Sequence, residues 1–314
     1  MHAAAFSPRG GVARRAAQLR GQSIIEYVLI IAIIGLVIVF AGPGVAGAIR
    51  NQFNQVTNTV DSGTEGDNFM SAEEKAYREA MKTVASKEAK DWTLDEQKAA
   101  ATDIAKNGTS SVVYAKAKAA MDAGTTWSVK LTNGKTMKYR IIGINHDDLA
   151  DGSGKAGLTF EATNTALGQQ RMVATRTNAG GWEKSELRAK MNSGDLWALL
   201  PSELQSKTKA VTKMTDNKGG GTAGTPSATT DKVFLLSTTE IYGDMQSDGT
   251  QYEYYKSKGV TKSNYSGASS GNFHLTRSVY PWWEEGFHIV YGNGACTDPS
   301  CATKVAPVFP AWCF

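Results

Sequence analysis

"TWSVKLTNGKTMKYRIIGI", residues 126–144, decides the fold class of the C-terminal half. Trp127, Val129 and Leu131 alternate with polar residues before Asn133-Gly134, and Met137, Tyr139 and Ile141 do so after it. A period of two is that of a strand with one buried face. Asn-Gly supplies the left-handed backbone of a tight turn, so the stretch predicts an antiparallel hairpin.

Downstream, strand and helix patterns mix. "LTFEAT" (158–163) and "DKVFLL" (231–236) read as strands. "GWEKSELRAKMNSGDLWALL" (181–200) reads as one helix with Trp182, Leu187 and Met191 near helical spacing. Ser237 and Glu240 form an S-x-x-E helix start. "DNKGGGTAGTPSATT" (216–230) reads as a flexible, exposed loop, and the last 40 residues return to short strands and turns. Residues 126–314 are therefore expected to form a mixed α+β domain.

Upstream, "DSGTEGDNFMS" (61–71) reads as a linker. Ser71/Glu74 and Thr93/Glu96 are capping boxes that open Ala- and Lys-rich helices, and a third helical stretch ends at Gly124. Residues 61–125 are expected as a linker and helical stalk, or as helices lying on the following domain; a semi-ordered spacer is the alternative, because so Ala-rich a composition offers helix propensity with little core.

Ile24 to Ala41 is apolar except for Glu26 and Tyr27, about the minimum length for a membrane-crossing helix. Val45, Ile49, Phe53, Val56 and Val60 continue a helical pattern beyond it. Arg9, Arg14, Arg15 and Arg20 precede it, which directs the N-terminus to the cytoplasm and the rest outward. "AGPGVAG" (41–47) keeps a cleaved signal peptide open as an alternative. Glu26 is the awkward residue, since an ionised carboxylate at membrane depth costs a few kcal/mol unless paired.

The basic leader, Gly21, "QSIIEY" and the apolar run together resemble a type IV prepilin, with the Glu-Tyr pair similar to Flp pilins and Tad-system pseudopilins. That resemblance implies cleavage by a prepilin peptidase between Gly21 and Gln22, and pairing of Glu26, beside Tyr27, with the amine of a neighbouring pilin subunit. The expected organisation is a leader over 1–21, a transmembrane, pilin-like helix over 22–60, the short helical segment over 61–125, and the α+β domain over 126–314. A large added domain points to a minor pilin with an adhesive or recognition role. A pseudopilin of a secretion system and a signal-anchored ligand-binding protein that forms no filament are the alternatives.

Five blocks of the C-terminal half, among them "YRIIGINHDDLADGSGKAGLTFEA" (139–162), "DKVFLLSTTEIYG" (231–243) and "VAPVFPAWCF" (305–314), are similar in order to the bacterial domain of unknown function 6273. That family commonly carries a W-W-x-R-S block. Here Arg277-Ser278 follow "FHLT", and Trp282-Trp283 come after them, so the aromatic pair has moved. The order of elements also resembles C-type-lectin-like folds, an analogy that carries no function.

Catalytic signatures such as G-x-S-x-G, H-E-x-x-H, the P-loop and the Rossmann fingerprint are missing, and no cofactor is implied. His146-Asp147-Asp148, with Asp151, is dense enough to consider a cation, yet the spacing does not fit a calcium loop, and a solvated turn is the plainer reading. Cys296, Cys301 and Cys313 admit one disulfide with the pairing open. Zinc would need about four ligands, and His288 is the only histidine near them. Outside the basic leader the charges balance, which gives no basis for nucleic-acid binding. Trp282 and Trp283 cannot both face inward on a strand. With Tyr280 and Glu284 they are the candidate surface for an extracellular ligand, a glycan or a protein.

Overall fold

The computed structural model describes residues 71–245 and 248–314. Gly21, Gln22, Glu26, Tyr27 and the expected helix over 22–60 lie outside the described residues. The chain divides into Met1–Lys75 and Ala76–Phe314, and the second unit is the folded body described below.

Among the described residues no helix is long and apolar enough to cross a membrane. This overturns the expected architecture, in which a long membrane-crossing helix precedes the domain. The longest described helix, α1 (Ala72–Ser86), has 15 residues and opens with Glu73 and Glu74. At 1.5 Å per residue it reaches about 22 Å, short of a bilayer core of about 30 Å. The observed class is mixed α+β with a β-rich C-terminal part.

The opening hairpin forms. β1 (Thr126–Lys130) pairs antiparallel with β2 (Thr136–Ile144), Trp127 opposite Tyr139. Leu131 N donates to Lys135 O at 2.8 Å, which leaves Thr132-Asn133-Gly134 as a three-residue turn. Gly134 has φ +82°, the left-handed residue that such a turn needs. β3 (Leu158–Ala162) follows β2, and the last strand, β12 (Ala311–Cys313), inserts between β3 and β7 (Val233–Phe234) to give the order β1-β2-β3-β12-β7. Trp312 thus sits mid-sheet, with its ring centroid 5.1 Å from that of Tyr139 and 5.9 Å from that of Phe160. Truncating a buried aromatic of this kind typically costs about 3–5 kcal/mol.

α2 (Leu94–Asn107) and α3 (Tyr114–Ala123) lie on this sheet and share its hydrophobic core, one of the three arrangements the sequence leaves open. Their small residues are the means of close approach. A Cβ at Gly157, just before β3, would stand 1.8 Å from Ala101 O. Ala100, Ala101, Ala117 and Ala120 are all buried. Thr93 and Glu96 make the expected capping box of α2.

The helix expected over 181–200 is broken. Gly181 to Lys184 form turns, α4 spans Glu186–Asn192 with Ser185 as its N-cap, and α5 (Asp195–Leu199) restarts after Ser193-Gly194. Trp182, Leu187 and Met191 are nevertheless all buried. β5 (Val211–Thr215) and β6 (Ser227–Asp231) form a separate hairpin, so both ends of the expected loop are tied together. α6 (Thr238–Tyr242) starts at the Ser237/Glu240 capping box. β8 (His274–Val279), β9 (Gly286–Val290) and β10 (Pro299–Cys301) make a three-stranded antiparallel sheet.

Candidate functional site

Two features meet around β8 and the turn after it. The first is a buried ionic network. Arg277, on β8, is fully buried, and its guanidinium donates to both carboxylate oxygens of Glu240, Nη2 reaching Oε1 at 2.9 Å. Lys213, on β5, joins Glu240 at 2.5 Å and Asp147 at 2.6 Å. Asp147 also accepts from Thr159 Oγ1 at 2.6 Å and from the Tyr252 hydroxyl at 2.9 Å. Arg277 further donates to Thr215 Oγ1 and to the carbonyls of Leu235 and Asp248. Ser278 Oγ donates to the Asp248 carboxylate and accepts from Thr238 N.

Burial alone would raise the pKa of Asp147 and Glu240, but the neighbouring cations outweigh it. Lys213 holds Asp147 well below the usual carboxylate range, and Arg277 with Lys213 lowers Glu240. Burial likewise works against the Lys213 and Arg277 charges, and the same carboxylates reverse it, so both stay protonated. The four charges neutralise one another in place, which makes this cluster a clamp rather than a reservoir of reactive groups.

That arrangement corrects the reading of residues 146–151. Asp147 is buried in the network, not solvated. His146 Nδ1 pairs with Glu253 at 3.0 Å, Asp148 with Lys155 at 2.9 Å, and Asp151 accepts from Ser153. The four side chains go to four different partners. Among the described residues no group of three or more His, Cys, Asp or Glu is placed to hold a metal ion.

The second feature is a cleft of ≈ 420 Å³ that shares Asp248 with the surroundings of Arg277 and is lined by Tyr280 and Trp282, by Asp216 from the glycine loop, and by His288 and Cys296. Tyr280 and Trp282 meet at 76° with centroids 5.5 Å apart, an aromatic corner. Trp282 is 77% exposed. Trp283 and Glu284 do not line the cleft. Trp283 is half-buried and covers Gly286, where a Cβ would stand 2.7 Å from its ring. The expectation that one tryptophan faces outward rested on strand alternation, but both occupy the turn between β8 and β9, and turn geometry separates them.

Asn178 ties the two walls of this cleft together. Its Nδ2 donates to the carbonyls of Tyr280, Trp283 and Gly286, the last at 2.7 Å, and its Oδ1 accepts from Gly220 N at 2.6 Å. Its own backbone N–H donates to Glu284 O at 2.7 Å. Gly219, Gly220 and Gly221 all have positive φ. A Cβ at Gly219 would lie 2.0 Å from Asn178 O, so the glycine run is what lets the loop close on Asn178. Asp216 then accepts from Lys218 N and Gly224 N and holds the loop in shape. The loop expected as flexible is a built wall.

Cys296, Cys301 and Cys313, among which the sequence admits one disulfide, are free thiols in this structure. Cys313 lies at the end of β12, 3.4 Å from both Asp147 Oδ2 and Thr159 Oγ1. Cys296 lies in the cleft, its Sγ 3.7 Å from His288 Nδ1, and Cys301 neighbours Glu285. Burial pushes the Cys296 thiol up to about 12, and burial with nearby Lys262 lowers His288 to about 4. The pair is therefore neutral at physiological pH and carries no thiolate.

Sequence reasoning marked Arg277-Ser278, Tyr280 and Trp282, but missed Lys213, Asp248, Tyr252 and Asn178. A lone Lys on a strand and a lone Asn before Gly-Gly carry no pattern that separates them from surface residues.

A family model described as Domain of unknown function (DUF6273) matches residues 153–312. Its span takes in Lys213, Glu240, Arg277, Asn178 and the cleft, while Asp147 and the β1–β2 hairpin precede it. No curated protein and no solved structure matches the chain, so the C-type-lectin-like analogy gains no structural counterpart.

Proposed function

The chain belongs to the Domain of unknown function (DUF6273) family, and we propose that its C-terminal part is a recognition module that seats a group of an extracellular ligand, glycan or protein, against Tyr280 and Trp282. The observation that carries this reading is Trp282, 77% exposed beside the cleft while the tryptophans at 182 and 312 are fully buried. An exposed large aromatic that also lines a concave, pre-formed cleft is the kind of surface that ligand sites use. The cleft walls are fixed by Asn178 and by the ion clamp, which lowers the ordering cost of binding. Binding rather than catalysis is favoured because groups in the cleft lining are already committed: Asp216 and Asp248 each accept hydrogen bonds on both carboxylate oxygens, and Cys296 is a neutral thiol.

Gly21, Gln22, Glu26 and Tyr27 in prepilin-like order support display of the module at the cell surface as a minor pilin. A mature N-terminus at Gln22 is the expected result of N-terminal sequencing, and a mature chain that keeps Met1 removes the pilin reading. For the module itself, the full-length protein is applied to glycan and surface-protein arrays beside Trp282→Ala. The expected outcome is a ligand retained by the parent and lost by the variant. Ligands held equally by both would discard the cleft as the recognition site.

A further inference from the structure

We infer that the cleft recognises a quaternary ammonium group. The inference rests on the recognition role just proposed and names the chemistry of its ligand. Tyr280 and Trp282 meet edge to face at 76° and both line the cleft, and an aromatic lining favours a cation over a neutral group of the same shape. Asp216 and Asp248 line the same volume. Both are nearly or fully buried, and among the described residues neither forms an ion pair. Two carboxyl groups in so confined a lining favour a cationic occupant over an anionic one.

The hydrogen bonds decide between kinds of cation. Both oxygens of Asp216 already accept backbone N–H groups, from Lys218 and Gly224. Both oxygens of Asp248 already accept hydroxyls, from Thr239 and Ser278. These four bonds already take up part of the acceptor capacity of the two carboxylates. A primary ammonium would bring three donors that have to share the lone pairs left over. A trimethylammonium brings none, and Met245, Pro226 and Pro281 in the same lining suit its methyl surface. Lys262 is the opposing charge at the cleft, but it is exposed and screened by solvent, and His288, lowered to about 4, is neutral at physiological pH.

Isothermal titration calorimetry of the full-length protein tests this with choline, with its neutral isostere 3,3-dimethylbutan-1-ol, and with ethanolamine. Choline is expected to bind at least about tenfold more tightly than either, the scale of a desolvated cation–π contact. The preference should vanish in Trp282→Ala and shrink in Asp216→Asn, with both variants checked for a native near-ultraviolet circular dichroism spectrum. A trimethyl-lysine amide titrated alongside identifies the source of the group by its relative affinity. Equal binding of choline and the neutral isostere overturns the ammonium inference and leaves the recognition role standing. Choline binding unchanged in Trp282→Ala overturns the inference and takes the cleft out of recognition as well.

Discussion

Arg277 and Trp282 are five residues apart and do opposite work. Arg277 has no exposed surface and donates to four other residues besides Glu240. Trp282 is the most exposed large apolar residue described, and its ring meets only the edge of Tyr280. One segment thus carries a clamp at its strand end and a contact surface at its turn end. The contrast teaches where stability and recognition are stored. Charge is spent inside on holding β5, α6 and β8 together, and apolar surface is left outside where a folding core would have used it.

The largest effect should come from breaking the clamp. Lys213→Met leaves Asp147 buried without its lysine partner and Glu240 paired with Arg277 alone. Removing one partner of a buried ion pair typically costs about 3–5 kcal/mol. Urea denaturation of parent and variant measures it, and a loss below about 1 kcal/mol, the value of a surface pair, would mean that the network is solvated rather than buried.

How far the sequence announced each region follows from the range of its interactions. The hairpin around Asn133-Gly134 was legible because its signal is local: alternation and turn chemistry sit within 19 residues. The capping boxes at Thr93 and Ser237 were legible for the same reason. The turn over 181–184 was not, since Trp182, Leu187 and Met191 keep near-helical spacing across a chain that turns. The network was the least legible. Asp147, Lys213, Glu240 and Arg277 come from four distant segments, and each looks like an ordinary polar residue until the fold joins them. Trp282 was visible as a candidate because an aromatic pair is conspicuous in composition, while Asn178, which positions it, is not.

Asn178 gives the smaller and sharper test of the comparison, because it belongs to the recognition side yet is itself 1% exposed. Asn178→Ala removes the acceptor for Gly220 N and the donor for three carbonyls. Leaving buried backbone groups unsatisfied costs about 1–3 kcal/mol, less than the clamp. The location of the loss matters more than its size. If Asn178 serves the cleft, amide exchange should accelerate in residues 216–226 and 280–286 while β2, β3 and β12 keep the protection of the parent. Faster exchange across the five-stranded sheet would instead make Asn178 part of the global core. Trp282 would then stand on a wall that opens only when the whole domain unfolds, and the separation between a stability region and a recognition region would be gone.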